Sequence, residues 1–442
     1  MNKNRSFNTI MVLLFLGFVA KVLSTLARVL TTRTIGIDAM GLYQLASPCM
    51  LLVITLSQFG LPTAMATLVS RYRSRAKTIL ISGITISFII SVIMMILVIS
   101  LSKVIAVNVL KNPDIELTLY ALALLIPLVS LSAIIKGFFL GMNEIELTST
   151  STIMEEVGRI IFIIFFLEYF ATKGASFGSF GAMIGVCIGE IFQSLYMIFF
   201  NNRQLYLRVN ELMSIKLKNR FDESKNIIKL SFPLTLSRLI GSVTYFLESI
   251  LISNLMLKYG YGIDVLTHDY GLLSGYVMPL LLMPGFFATS FANYLLPNMS
   301  KSIGQKDIKS AKSQFKKMFL ISSGTGLFFS LIFFLLGDKL MLLLYGTDEG
   351  FELVKILAFP FIIYYIEAPI ASAMHALNLT TKAFYSTTIS CVIRIIILVL
   401  FTKTLQVNSV ALATIVAVLV DVIINGVWVF DRLFFHNEKI TL

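Results

Sequence analysis

Two basic residues, Lys21 and Arg28, lie within the apolar stretch FVAKVLSTLARVLTTRTIG near the start of the chain. Their separation of seven residues places both side chains on one face of a helix, two turns apart. A cation at the centre of a bilayer costs about 2.5–3.5 kcal/mol on insertion scales, so it usually faces a partner or a water-filled cavity. The stretch contains no acidic residue. The pattern therefore predicts a cationic site that binds an anion.

A similar arrangement occurs in the second half of the chain, where Arg238 and Tyr245 have the same spacing. Arg238 is the expected counterpart of Lys21. The predicted anion-binding side chains are therefore those of Lys21, Arg28 and Arg238.

Further charged residues interrupt the apolar stretches, and they have two interpretations. Glu155 and Arg159 are one helical turn apart and are expected to form an ion pair. Together with Arg394, this pair is either structural or a second charged part of the cavity. Four acids are the expected partners of Arg238 and Arg394: Glu190, Glu248, Glu367 and Asp421. Three of these acids are alternatively expected to bind Na⁺ or H⁺: Glu248, Glu367 and Asp421. Two lysines near helix ends are expected to extend to the interface: Lys136 and Lys355.

Composition identifies the elements that must position these residues. Of the 442 residues, 57% are hydrophobic and 14% are charged, and the mean hydropathy is +0.86. A bilayer-spanning helix needs about 20 apolar residues. Twelve stretches meet this length, which predicts an all-α polytopic membrane protein. They are residues 9–31, 42–67, 78–102, 117–141, 151–171, 179–200, 227–257, 271–296, 315–336, 352–377, 383–402 and 406–430.

The distribution of lysine and arginine predicts the orientation. If both termini are cytoplasmic, the inner segments carry 22 of these residues and the outer loops carry 7. This bias is typical of a multi-pass protein of the bacterial cytoplasmic membrane. The net charge of +12 is therefore assigned to membrane topology and contact with membrane lipids, and nucleic-acid binding is not expected.

The two halves resemble each other. STIMEEVGRII from Ser151 aligns with STTISCVIRII from Ser386, and at the same offset Asn143 aligns with Asn378. We therefore expect two parallel-repeat lobes of six helices, residues 1–200 and 227–442, around a central cavity, joined by a cytoplasmic linker at 201–226. Such repeats are typical of transporters that alternate access to a site between two bundles.

Glycine and proline interrupt the second, fourth and eighth stretches. They are expected to loosen the helical hydrogen-bond ladder and to allow bending, although both residues are common in membrane helices. The residues concerned are Pro48, Gly60, Pro62, Pro127, Gly137, Gly141, Pro279, Pro284 and Pro297.

Enzymatic chemistry is not expected. The three histidines, His268, His375 and His436, form no cluster in the sequence, and the His-Glu-x-x-His zinc motif is absent. The three cysteines lie in apolar stretches without metal-ligand spacing. No metal, cofactor or catalytic residue is predicted.

Four motifs of the sequence resemble those of a known family. KVLSTLARVLTTRTIG, GLYQLASPCMLLVITLSQFGLPTAMATLVSRY, KGFFLGMNEI and EEVGR are similar to the stage V sporulation protein B family. That family belongs to the polysaccharide transporter branch of the multidrug/oligosaccharidyl-lipid/polysaccharide (MOP) flippase superfamily, which includes the multidrug MATE transporters.

The resemblance implies a flippase that moves a lipid-linked glycan, carried on a polyprenyl pyrophosphate, from the inner to the outer leaflet, and a monomer is expected. Peptidoglycan precursors are within this substrate class, but related lipid II flippases have fourteen helices and twelve are predicted here. In relatives, basic residues of the first helix line the cavity, and Lys21 and Arg28 match those positions. The alternative function is a multidrug cation antiporter driven by H⁺ or Na⁺, which requires a membrane-embedded carboxylate.

Overall fold

The computed structural model describes residues 3–200 and 217–435, which are helical apart from short turns. The chain divides into two compact units, Met1–Ser249 and Ile250–Leu442. The helices of the first unit are α1 (Lys3–Gln58), α2 (Leu61–Arg71), α3 (Ala76–Val104), α4 (Glu116–Gly141), α5 (Ile145–Phe162), α6 (Glu168–Ala171), α7 (Ala175–Phe199) and the part of α8 (Leu217–Lys258) up to Ser249.

The second unit contains the end of α8 and eight further helices. These are α9 (Ile263–Gly271), α10 (Met278–Leu282), α11 (Gly285–Gly304), α12 (Ile308–Tyr345), α13 (Phe351–Ala358), α14 (Ile362–Ala376), α15 (Thr380–Leu405) and α16 (Asn408–Phe430). The unit boundary falls after residue 249. The predicted linker at 201–226 lies largely outside the described residues and stays a prediction.

Each of the twelve predicted spans has a helical counterpart. In the described residues, eight helical segments are long and apolar enough to cross a membrane, and two bent pairs would each add a span. The pairs are Ile263–Leu282 with Gly285–Gly304, bent by 52°, and Phe351–Ala358 with Ile362–Ala376, bent by 48°. The remaining two predicted spans are within the long first segment and at Ile145–Ala171.

The predicted end of the second span was wrong, whereas the predicted gap between the first two spans contains a backbone break. Helix α1 continues from Lys3 to Gln58, and its single break is at Gly36, where φ is 79° and ψ is 178°. The second predicted span is in turn interrupted near its end, where Phe59 and Gly60 both have positive φ. The predicted gap at 32–41 contains the break at Gly36, whereas the second break lies inside a predicted span, because it does not change the apolar character of the sequence around it.

The internal repeat is visible in the backbone. Asn143 follows α4 with φ 69°, and Asn378 follows α14 with φ 56°. The Asn143 amide donates to the Leu140 carbonyl at 3.0 Å, and the Asn378 amide donates to the His375 carbonyl at 3.1 Å. Asparagine tolerates this left-handed conformation better than most residues. The sequence alignment of these two asparagines is thus confirmed as a shared helix-ending turn.

Helix packing in the first unit depends on close backbone approach. A Cβ added to Gly137 of α4 would be 2.4 Å from the carbonyl oxygen of Pro62 in α2. Small residues commonly permit such contacts in membranes, where apolar surface gains little by leaving lipid. Gly137 was expected either to loosen its helix or to serve ordinary packing, and the structure shows a packing contact. The adjoining core includes Met65, Ile134 and Phe138.

Helix α8 packs against the start of α2 within the first unit. Gly60 has φ +61°, and a Cβ at this position would be 2.7 Å from the Ser231 carbonyl oxygen. The Phe59 and Phe232 rings are 6.3 Å apart. One turn into α2, Thr63 accepts a hydrogen bond from Arg238 at 3.3 Å. The turn at Gly60 therefore permits the close approach of α8 to the start of α2 within the first unit.

We expect Gly60→Ala to lower the thermal stability of the purified protein. A side chain in the left-handed conformation costs about 1–2 kcal/mol of backbone strain. The steric conflict with Ser231 is a second cost. Gly241→Ala is the matched control, because a Cβ there meets nothing within 4 Å. Melting curves in detergent should separate the two variants, and equal melting temperatures would show that the close approach does not matter.

Candidate functional site

The first span of α1 has a continuous polar face. At about 100° per residue, five positions fall within less than a third of a turn of one another around the helix: Lys21, Ser24, Thr25, Arg28 and Thr32. Lys21 and Arg28 are exposed. The hydroxyls of Thr25 and Thr32 donate to the carbonyls of Lys21 and Arg28 at 3.0 and 2.8 Å. Because these two hydroxyls already donate within the helix, the charged groups of Lys21 and Arg28 are the strongest hydrogen-bond donors on this face.

A separate exposed face of the same helix is apolar. Phe15, Phe18, Val22 and Leu26 are 65%, 46%, 49% and 44% exposed. This stripe lies about a third of a turn from the polar face. Such side chains suit a hydrocarbon environment, whereas exposed ammonium and guanidinium groups do not. The two exposed faces adjoin at Thr25 and Phe18, so they differ in the chemistry of their side chains and are not separated by a buried face.

Arg238 is the third predicted anion-binding residue. It is exposed on α8, and it lies in the first unit together with Lys21 and Arg28. Its guanidinium donates to Thr63 Oγ1 at 3.3 Å, which leaves further donors on the same group. Glu248, farther along α8, is buried.

The predicted ion pair of Glu155 and Arg159 is present in α5, with 3.5 Å between Oε1 and Nη2. Arg159 also pairs with Glu156, with 3.3 Å between Nη1 and Oε2. Gln193 of α7 donates to the other oxygen of Glu155 at 2.9 Å. Glu156 and Gln193 were missed at the sequence level. The i,i+3 spacing of Glu156 and Arg159 was a usable signal, whereas the contact with Gln193 required the packing of α5 against α7.

The same unit extends this polar cluster to α4. Lys136 donates to Thr152 Oγ1 at 2.8 Å, and Ser132 donates to Glu190. Two expectations were therefore wrong. Lys136 is directed into the protein instead of to the interface, because Thr152 lies within reach. Glu190 was expected to pair with Arg238 or Arg394, but Lys136 and Arg159 of its own unit are the cations that act on it electrostatically.

The second unit contains its own polar cluster, in which Glu367 and Asp421 are half-buried. Asp421 of α16 accepts hydrogen bonds from Ser386 Oγ at 2.7 Å and from Asn425 Nδ2 at 2.8 Å. Glu367 of α14 is close enough to Asp421 for the two charges to repel. Arg394 is buried, and it donates to Thr414 Oγ1 at 2.8 Å. Glu367 and Asp421, both predicted ion-coupling candidates, thus belong to one cluster.

Solved structures with the same architecture are transporters. The chain aligns over 97% of its length with a multidrug resistance MATE family transporter of the MOP superfamily in an inward-facing conformation, covering 99% of that chain at 16% identity and a TM-score of 0.65. A MOP superfamily transporter from Pyrococcus furiosus, described as having a binding pocket of reverse polarity, aligns over 96% of this chain and 94% of its own at 15% identity and a TM-score of 0.61. The fold is therefore that of the MOP superfamily.

Sequence comparison defines the family. Residues 7–303 match the family model "Polysaccharide biosynthesis protein", so the chain belongs to that family. Residues 274–400 also match the MatE model. Stage V sporulation protein B of Bacillus subtilis (strain 168) is 29% identical over 428 residues, which cover 94% of this chain and 82% of the relative. The lipid II flippase MurJ of the same organism is 21% identical over 67% of this chain and 58% of its own length.

These comparisons establish the general class. The protein is a multi-pass membrane transporter of the flippase type, and it is not an enzyme. The helical repeat predicted from the sequence agrees with this class.

The polar cluster of the first unit yields a stability prediction. Arg159→Gln should destabilise the protein by about 3–5 kcal/mol, because it leaves Glu155 and Glu156 without their shared partner. Adding Glu155→Gln and Glu156→Gln to this variant should recover much of the loss. Lys103→Gln, at an exposed position, is the control. Thermal melts of detergent-purified variants test this, and a melting temperature for Arg159→Gln equal to that of the control would contradict it.

Proposed function

We propose that the protein flips a lipid-linked glycan, carried on a polyprenyl pyrophosphate, from the cytoplasmic to the outer leaflet of the bacterial cell membrane. The observation that supports this most strongly is the exposed polar face of α1, which presents Lys21 and Arg28 and includes no carboxylate in its span. The relationship to stage V sporulation protein B and to the lipid II flippase MurJ supports the substrate class.

The chemistry of the headgroup matches these side chains. A pyrophosphate diester offers about two negative charges and several acceptor oxygens. Arg28 can bind two of these oxygens with its planar fork, and Lys21 contributes a compact charge with three donors. Arg238 is a third cation in the same unit. In our proposal these residues replace the water that the headgroup loses when it leaves the membrane surface.

The two exposed faces of α1 divide the substrate between them. The charged headgroup binds along the face of Lys21 and Arg28, while the polyprenyl chain stays in lipid beside the stripe of Phe15, Phe18 and Val22. This division avoids burial of the phosphates in lipid and exposure of the polyprenyl chain to water. At 1.5 Å per residue, Lys21 lies about 22 Å along α1 from the kink at Gly36, which places it well inside the span.

The proposed cycle is alternating access between two lobes with both termini in the cytoplasm. The 22-to-7 distribution of basic residues supports this orientation. Parallel repeats commonly serve such a cycle. We propose that the protein acts as a monomer, with the substrate and membrane lipids as its partners.

A multidrug cation antiporter is the alternative, and the match of residues 274–400 to the MatE model is the observation in its favour. An organic cation needs a carboxylate at the binding surface. The polar face of α1 is positively charged and has no such carboxylate. Lys21 and Arg28 would therefore repel the substrate of such an antiporter.

Replacement of either α1 cation should impair flipping. We expect Lys21→Gln and Arg28→Gln each to slow translocation of a fluorescent polyprenyl-pyrophosphate disaccharide in proteoliposomes by about tenfold to hundredfold. A hydrogen bond to a charged group contributes about 1.5–3 kcal/mol. The measurement is the rate at which the fluorophore becomes accessible to a membrane-impermeant quencher.

Two controls make this test specific. Lys21→Arg keeps the charge and should retain most activity, and Arg33→Gln removes an exposed cation that lies off the polar face of the same helix. Flipping that is equally fast in Lys21→Gln, Arg28→Gln and Arg33→Gln would contradict the proposed site. Uptake of an organic cation that survives Lys21→Gln, without glycolipid flipping in any variant, would support the antiporter instead.

A further inference from the structure

Two spans of the second unit are bent, and they are bent to a similar degree. The first bend, of 52°, separates α10 from α11, and the second, of 48°, separates α13 from α14. Each bend releases backbone carbonyls, because the last carbonyls of a helix have no amide of their own helix to pair with. Buried carbonyls of this kind need another donor. Both bends therefore need donors from outside their own span.

At the first bend the donor is a tyrosine. The Tyr365 hydroxyl donates to the Leu281 carbonyl at 2.7 Å, and Tyr365 is only 1% exposed. Pro284, three residues after Leu281, has no amide hydrogen with which to replace this bond. Tyr365 lies in the first turn of α14, directly after the second bend. One side chain thus joins the break of the first span to the break of the second.

At the second bend the donor is a serine of α12. The buried Ser330 hydroxyl donates to the Ala358 carbonyl at 2.7 Å. In an unbroken helix this carbonyl would accept from the amide of Ile362, four residues on. That amide donates to the Phe359 carbonyl at 3.1 Å instead. The Ser330 hydroxyl therefore replaces the backbone hydrogen bond that the bend removes.

Helix α12 supports the second bent span on both sides of its bend. It is continuous over 38 residues, and Gly326, Ser330 and Gly337 are buried on one face. A Cβ on Gly337 would be 3.0 Å from Val354 Cγ1, before the bend, and a Cβ on Gly326 would be 3.1 Å from the Tyr365 ring, after it. Close approach on both sides leaves the bend itself as the part of the span that can change.

The two bent spans also pack against each other. After the bends, Leu295 of α11 and Met374 of α14 belong to one buried core. Before the bends, a Cβ on Gly350, at the start of α13, would be 3.1 Å from Leu272 Cδ1 of the first span. Two spans that are packed together on both sides of their bends cannot straighten one at a time without losing this packing.

We propose that Tyr365 and Ser330 form a latch that holds both spans bent, and that the two bends open and close together. In the bent state, each hydroxyl satisfies a carbonyl that a bend has released. In a straighter state, Leu281 and Ala358 take amides of their own spans, four residues on, and the two buried hydroxyls lose these acceptors. The latch therefore favours two discrete arrangements of the second unit over a continuous range.

This latch goes beyond the proposed flippase function. It is built from residues of the second unit and does not involve Lys21 or Arg28, which lie in the first unit. Only its use in a transport cycle rests on the proposed function. A transporter that exchanges between two conformations needs packed elements with two stable arrangements, and a pair of linked bends is such an element.

The test is double electron–electron resonance spectroscopy of the spin-labelled full-length protein in lipid nanodiscs, with the native cysteines replaced by alanine. One label pair, Val265→Cys with Lys301→Cys, spans the first bend. A second pair, Glu352→Cys with His375→Cys, spans the second bend. All four positions are exposed. At 1.5 Å per residue, complete straightening would lengthen the two distances by about 6 Å and about 3 Å.

We expect Tyr365→Phe alone and Ser330→Ala alone each to shift both distances towards the straighter values, because either substitution removes one donor of the shared latch. Tyr385→Phe and Ser323→Ala are the matched controls, and they should shift neither distance. Tyr385 is 58% exposed, and the Ser323 hydroxyl donates within α12, to the Phe319 carbonyl at 2.8 Å.

Two results would overturn the proposal. A shift confined to the span whose carbonyl has lost its donor would show that the bends are independent. Unchanged distances in both spans would show that the hydroxyls do not hold the bends. A label pair on α12, Lys309→Cys with Lys339→Cys, should keep its distance in every variant, which separates a change of bend from unfolding. Lys21→Gln should leave all these distances unchanged while it slows flipping, so failure of the latch and failure of the proposed function are distinguishable.

Discussion

The cost of placing charge in a bilayer is the constraint on which this structure depends. A charged side chain in the hydrocarbon region must find a partner, water or a counter-ion, because lipid offers none of these. The protein nevertheless has ionisable residues in most of its helices. Their arrangement follows three patterns, and each pattern has a different consequence for function.

In the first pattern, charges compensate one another permanently. Arg159 pairs with Glu155 and Glu156 within one turn of helix, and Lys136 binds Thr152 nearby. In the second pattern, Asp421 accepts hydrogen bonds from Ser386 and Asn425, and neither it nor Glu367 has an ion-pair partner in the described part of their unit. In the third, Lys21 and Arg28 are exposed along a polar face of α1. A cluster of the first kind stabilises a lobe, whereas we propose that the exposed cations of the third bind a ligand.

The sequence was sufficient to predict the helical membrane fold, the repeat and the pairing of Glu155 with Arg159, because these depend on local spacing and hydropathy. It did not predict the partner of Glu190. That partner, Ser132, is on a different helix, and polar residues scattered through apolar helices do not reveal how the helices are rotated. The break at Phe59 and Gly60 was missed for a related reason, since two positive φ values change the path of the chain without changing its composition. The roles of Lys21, Arg28 and Arg238 remain predictions from charge and placement.

The central claim is that cations on α1 recognise a phosphorylated headgroup, and headgroup charge tests it most directly. The measurement is the affinity of the full-length protein in nanodiscs for polyprenyl pyrophosphate, polyprenyl monophosphate and polyprenol, at fixed chain length. We expect affinity to fall with each loss of charge, by about tenfold or more in total, and the difference to shrink in Lys21→Gln. Equal affinity for the pyrophosphate and the uncharged alcohol would contradict the account.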